Sequence, residues 1–159
     1  MATLTVRAAT VNDVPRVVGL VTGMFHDLGT TVTEPGWEQA AGDRLATDPG
    51  IGTFVTVDDA DRPIAVAVGV VDRHLPSPRR PRGLVGYLEW LATDARWRRR
   101  GAARLALAGL LDWFDAQSVP VVDVHASAAA RPLYDALGFR PPSAVALRRY
   151  APARSIANM

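Results

Sequence analysis

The chain has no cysteine, which rules out a disulfide framework, a thiolate zinc site and a cysteine nucleophile. It has no lysine either: all 18 basic residues are arginine, a pattern of composition rather than of chemistry. Histidine is limited to His26, His74 and His125, no two of which stand at ligand spacing on one element, so no metal is expected. Glutamate is nearly missing, with Glu34, Glu38 and Glu89 as its whole complement. No apolar run reaches the roughly 18 residues that span a bilayer. Residues 1–10 lack the charged-then-apolar layout of a secretion signal. The expectation is a cytoplasmic protein with no membrane partner.

What remains is ordinary for a globular chain. With 159 residues, 48% of them hydrophobic and 21% charged, there is enough apolar material for one domain with a real core. No repeat and no linker divides the sequence, so a single domain is expected, with its core over 3–150 and a tail over 151–159. Residues 4–8 read as a first strand. Thr10 and Asp13 form a candidate capping box, and Val14, Val17, Val18, Val21, Phe25 and Leu28 then recur at helical spacing. A second helix is expected within 34–47, stopped by Asp48-Pro49-Gly50. Strands over 53–57 and 64–71 suit an antiparallel hairpin. The proline-rich stretch 76–82 cannot continue a ladder and should be a loop.

The most informative segment follows: a strand over 84–93, an arginine-rich turn, and a helix from about Ala102 to Gln117 with Ala103, Leu107, Leu110, Leu111 and Phe114 on its buried face. A buried strand over 120–124, a short helix starting near Arg131 and capped by Gly138, and a last strand over 145–150 complete a mixed α/β domain with one central sheet. The turn Arg98-Arg99-Arg100-Gly101-Ala102-Ala103-Arg104 carries chemistry. Free N–H groups of a helix's first turn, at the positive end of its dipole, make an anion site. Gly101, Ala102 and Ala103 leave clearance for a diphosphate to approach the backbone, and the guanidinium forks suit phosphate oxygens.

Arg98-x-x-Gly101-x-Ala103 resembles the first signature of the GNAT superfamily of N-acetyltransferases, and Arg131-Pro-Leu-Tyr134-Asp-Ala-Leu-Gly138-Phe139 is similar to its second. The resemblance covers about residues 3–150. It implies a GNAT-like fold: a mixed, mostly antiparallel central sheet of six to seven strands flanked by helices. It implies acetyl-CoA as co-substrate, with its pyrophosphate on the backbone of Arg99 to Arg104 and its pantetheine hydrogen-bonded like an added strand to Leu91, Ala92 and Thr93. The 84–93 strand and the next are expected to splay around the acetyl end. Ser127 stands where many members have an asparagine that contacts the cofactor, and Ala103 replaces the final glycine of the first signature. Relatives are often dimers, and the 145–150 strand offers a way to pair across a homodimer.

Acetyl transfer to an amine needs a group to take the amine proton, a stabilised oxyanion and a proton for the departing thiolate. Direct attack in a ternary complex is expected. Tyr134 is the candidate proton donor, on the resemblance. Glu89 is the candidate base, a carboxylate placed mid-strand among hydrophobic residues, where a charge is costly unless used or paired. Strand alternation puts Glu89, Leu91 and Thr93 on one face and Trp90 and Ala92 on the other. His125 and His26 are weaker candidates for contact with the acceptor. The acceptor is expected to be a small-molecule primary amine. Asp27, Glu34, Glu38, Asp43 and Asp48 against the single Arg44 give its region an acidic lean that suits a cation. A protein or peptide N-acetyltransferase and a non-catalytic acyl-CoA-binding module are the alternatives. Nucleic acid is not expected as a partner, because Trp97 is the one aromatic interleaved with the arginine clusters.

Overall fold

The structure, a computed structural model, describes residues 2–152. The chain divides into two compact units, residues 1–126 and 127–159. The first is built on a five-stranded sheet in the order β1 (Thr5–Ala8), β2 (Ile51–Val57), β3 (Pro63–Arg73), β4 (Leu84–Thr93) and β5 (Val122–Asp123). Every neighbouring pair is antiparallel except β4 and β5, which run parallel. The helices of this unit are α1 (Val14–Asp27), α2 (Trp37–Thr47) and α3 (Ala102–Ala116).

Alternation along the strands sorts the side chains onto two faces. Val55, Val57, Val66, Val68 and Ala92 point one way and bury themselves against Val17, Leu20 and Val21 of α1. The opposite face packs on α3. There Gly69 and Gly86 make room for Phe114: a Cβ on Gly86 would stand 2.8 Å from the Phe114 ring and 3.0 Å from Val122. At the start of α3 the wholly buried Thr56 hydroxyl donates to the Ala102 carbonyl at 2.7 Å, pinning the helix to β2. Of the expected apolar stripe of α3, Leu107, Leu110 and Phe114 are buried, whereas Ala103 and Leu111 are only partly covered and Ala102 and Ala106 take the buried positions instead.

The entry to α1 works through one carboxylate. Asp13 accepts from the Thr10 N–H at 2.7 Å and also takes the Arg7 guanidinium through both its oxygens. Arg7 and the backbone amide hold its carboxyl below the usual range, against the opposing effect of burial. That satisfies the residue despite its burial.

Two expectations need correction. The sheet has five strands, not six to seven. Residues 145–150 form no strand, although their Val-x-Leu alternation fits one; Val145 and Leu147 are almost fully exposed. Alternation describes what a strand would look like but does not provide a neighbour for its ladder. The expected 120–124 strand shrinks to two residues, since Pro120 brings no N–H to a ladder. The second unit, residues 127–159, contains α4 (Arg131–Ala136). No helix among the described residues is long and apolar enough to cross a membrane.

Candidate functional site

Strand β4 has two unlike halves. Its register with β3 runs Gly69 to Leu88 and then Val68 to Trp90, which leaves Glu89 as an extra, unpaired residue: a β-bulge. Before the bulge, Gly86 and Tyr87 pair with Val122 and Asp123 of β5. After it, residues 90–93 pair with β3 on one side, and no described strand pairs with them on the other. The Asp94 N–H bonds the Ile64 carbonyl at 2.8 Å. In an antiparallel ladder alternate residues spend their backbone groups on the partner. It follows that Ala92 bonds to β3, while the N–H and C=O of Leu91 and Thr93 point out of the open edge.

From this edge the chain enters the arginine turn. Asp94 caps a short 3₁₀ turn (Ala95–Trp97) by accepting from the Arg96 N–H at 3.0 Å. It also accepts from the Arg96 and Arg16 side chains. The Arg96 guanidinium and amide are the main reason its carboxyl sits far below the ordinary aspartate range. Beyond it, Arg99 and Gly101 take left-handed conformations, φ +63° and +81°. Glycine adopts that region at little cost, whereas for arginine it stores about 1–2 kcal/mol of strain. The chain turns sharply here, and α3 begins directly after Gly101. Leu105 is the first residue whose N–H reaches back into the helix, to Gly101 at 3.1 Å. No side chain caps the amides of Ala102, Ala103 and Arg104. The sequence reading expects an anion cradle at these amides, and in the structure no side chain occupies them.

The arginines around it are not equivalent. Arg98 is ion-paired with Asp27 at the end of α1, and the Arg100 guanidinium lies over the Trp97 ring, 5.2 Å from its centre. Arg99 and Arg104 are exposed. The turn therefore does not carry the ring of four unengaged guanidinium groups that the sequence suggests.

The bulge also corrects the face assigned to Glu89. An inserted residue breaks the alternation, so Glu89 no longer shares a face with Leu91 and Thr93. Its carboxylate instead feels Asp72 of β3 and Arg44 of α2. Its tip reaches solvent, yet the surrounding protein removes enough water to raise its pKa above the ordinary glutamate value. Asp72 adds to that rise and Arg44 opposes it. Trp90 beside it meets Phe25 of α1 and Trp37 of α2 in a mutually edge-on trio. Tyr87, two residues earlier, lies with its hydroxyl 2.5 Å from His125 Nδ1. The sequence reading missed Tyr87 and the aromatic trio, whose members lie far apart in the chain and carry no local signal of their meeting. His26 is exposed next to Asp27.

In the second unit the Ser127 hydroxyl accepts from the Ala130 N–H at 3.3 Å, a local turn that leads into α4. The Tyr134 ring packs edge-on against Phe139, centres 5.4 Å apart. Gly138, at φ +91°, closes the helix: its N–H bonds Asp135 and the Phe139 N–H bonds the Tyr134 carbonyl. This paired pattern is why the leucine-glycine-phenylalanine run follows the tyrosine. Among the described residues no group of three metal-ligating side chains occurs.

Strand β4 thus runs from an edge open on one side into a helix start whose first-turn amides have no side-chain cap. Residues 22–139 match the family model of the acetyltransferase (GNAT) family, and the chain belongs to that family. Its fold is similar to a predicted acetyltransferase from Clostridium acetobutylicum solved with acetyl-CoA, at 19% identity and TM-score 0.78 over 92% of this chain and 96% of that one. It is similar also to a GCN5-related N-acetyltransferase from Ralstonia eutropha JMP134, at 21% identity and TM-score 0.77 over 92% and 99%. A third likeness is to the aminoglycoside acetyltransferase AAC(6')-Iy in complex with a bisubstrate analogue, at 18% identity and TM-score 0.75 over 94% and 99%. No curated protein sequence matches the chain.

Proposed function

We propose that the protein transfers an acetyl group from acetyl-CoA to the primary amine of a small molecule, by direct attack within a ternary complex. One observation carries this reading: the outward backbone groups of Leu91 and Thr93 lead along β4 into the uncapped amides of Ala102, Ala103 and Arg104. An extended pantetheine arm can add to the first as a strand would, and a pyrophosphate can be held by the second. Ala92 then serves by position and small size, and Gly101 by its left-handed backbone. Arg99, Arg100 and Arg104 supply positive potential, with Arg98 tied back to Asp27.

In the reaction the amine nitrogen attacks the thioester carbonyl carbon, a C–N bond forms, and the C–S bond breaks as the tetrahedral intermediate collapses. Glu89 takes the amine proton, directly or through a water. Its pKa, raised by desolvation and by Asp72, makes it a stronger base than an ordinary glutamate. The departing thiolate needs a proton, and the second signature assigns that role to Tyr134. Ser127 is a further cofactor contact on the same resemblance. Aminoglycoside acetyltransferases among the similar folds support an amine acceptor.

Calorimetry with coenzyme A, followed by thiol release from acetyl-CoA in the presence of primary amines, tests the proposal. Micromolar binding and amine-dependent release are expected. No heat with coenzyme A from folded protein would overturn the reading.

A further inference from the structure

Next to Glu89, Trp90 of β4 meets Phe25 of α1 and Trp37 of α2 in a cluster of three mutually edge-on rings. Phe25 and Trp37 stand at 89° with centres 5.5 Å apart, Phe25 and Trp90 at 90° and 6.3 Å, and Trp37 and Trp90 at 74° and 6.4 Å. Three planes near right angles are three walls of a box. Edge-to-face contact is a preferred arrangement of aromatic pairs, so what marks this trio is its position, packed on the core yet only partly buried. Beneath them the core is already complete: Val17, Val21, Val55 and Val66 have no exposure at all. The three rings are only partly buried on top of it, and the chain from 28 to 36, between α1 and α2, is exposed throughout.

The charges beside the box have one dominant sign. Glu89 follows from the bulge that also aims Trp90 at α1. Asp72 lies close enough to raise its pKa, and Glu38, next to Trp37, accepts from the Thr22 hydroxyl at 3.3 Å. The cations nearby are each tied to a carboxylate: Arg44 to Asp48 at 2.6 Å, and Arg98 to Asp27 at the end of α1. Aromatic faces and carboxylates together favour a cation carried on an apolar body. They disfavour a polyhydroxylated one, whose hydroxyl groups would lose water against rings that return no hydrogen bonds.

We propose that the acceptor is an arylalkylamine or a similarly bulky apolar primary amine, its body seated against Phe25, Trp37 and Trp90 and its ammonium directed to Glu89. The inference rests on the acetyltransferase reading above and names the substrate class of that site. The bulge is the device that joins the two functions, because it sets base and aromatic wall on adjacent residues of one strand.

The test is thiol release from acetyl-CoA with 2-phenylethylamine and tryptamine against putrescine and an aminoglycoside, on the intact protein. The aryl amines should exceed the others in kcat/KM by about tenfold or more, the scale of discrimination an apolar pocket provides. Trp37→Leu should raise KM for 2-phenylethylamine by about tenfold while calorimetric affinity for coenzyme A stays unchanged. Should that variant fold poorly, Trp37→Phe gives a smaller shift in the same direction. Equal or better use of putrescine or the aminoglycoside, with coenzyme A bound normally, overturns the substrate class and leaves the acetyltransferase reading intact. Absence of coenzyme A binding overturns both.

Discussion

The two halves of β4 share a strand and differ in nearly everything else. Before Glu89 the strand is closed: β3 on one side, β5 on the other, and Gly86 pressed against Phe114. After Glu89 it is paired on one side only and runs into a turn whose amides have no partner within the helix. The first half is built for stability, where added volume costs free energy. The second gives up stability through an unpaired edge and a left-handed arginine, and its outward backbone groups are left without a strand partner. One inserted residue separates the two, and the candidate base is that residue.

This contrast can be broken most severely at the cradle. Ala103→Glu places a carboxylate in the first turn of α3, where the helix dipole favours it, but where a diphosphate would meet like charge costing several kcal/mol. Coenzyme A affinity by calorimetry should fall about a thousandfold with the melting temperature unchanged or higher. Loss of both together would mean that the turn is structural only.

Glu89→Gln should lower kcat by about a hundredfold. In the wild type, kcat/KM should fall as pH drops through the raised pKa of Glu89, and the variant should lack that acidic limb. The sign for stability runs the other way. The folded state holds this proton to higher pH than the unfolded chain does, so wild type loses stability relative to the variant as pH climbs through that window. An unchanged pH profile would remove Glu89 from the chemistry.

In the closed half, Gly86→Val should cost about 2 kcal/mol in denaturant unfolding through its clash with Phe114 and Val122. Coenzyme A should still bind whatever remains folded. At the junction with the turn, Asp94→Ala should cost about 1 kcal/mol by removing the cap of the short 3₁₀ turn. Its depressed carboxyl contributes stability above the ordinary aspartate pKa and loses it as pH falls toward the depressed value. The gap between wild type and Asp94→Ala should therefore narrow in acid.

Sequence patterns located this strand well. Its bounds at 84 and 93, the start of α3 at Ala102 and the start of α4 at Arg131 all agree with the structure. Those edges are marked by local signals: glycines that a turn requires, prolines that end a ladder, and apolar residues at fixed spacing. The bulge had no such mark. Alternation along residues 88–93 reads smoothly, and only pairing with Gly69 and Val68 shows that one residue is extra. For the same reason the aromatic trio stayed hidden, since Phe25, Trp37 and Trp90 are distant in sequence. The 145–150 segment failed in the opposite way, carrying the pattern of a strand without a ladder to join.

The hydroxyl of Thr56 reaches from the middle of the sheet to the first carbonyl of α3. Because that bond is sealed from water, the cradle is anchored from below by a residue that never touches what it holds. The binding amides are thus positioned before any ligand arrives, and little ordering entropy is left to spend on capture.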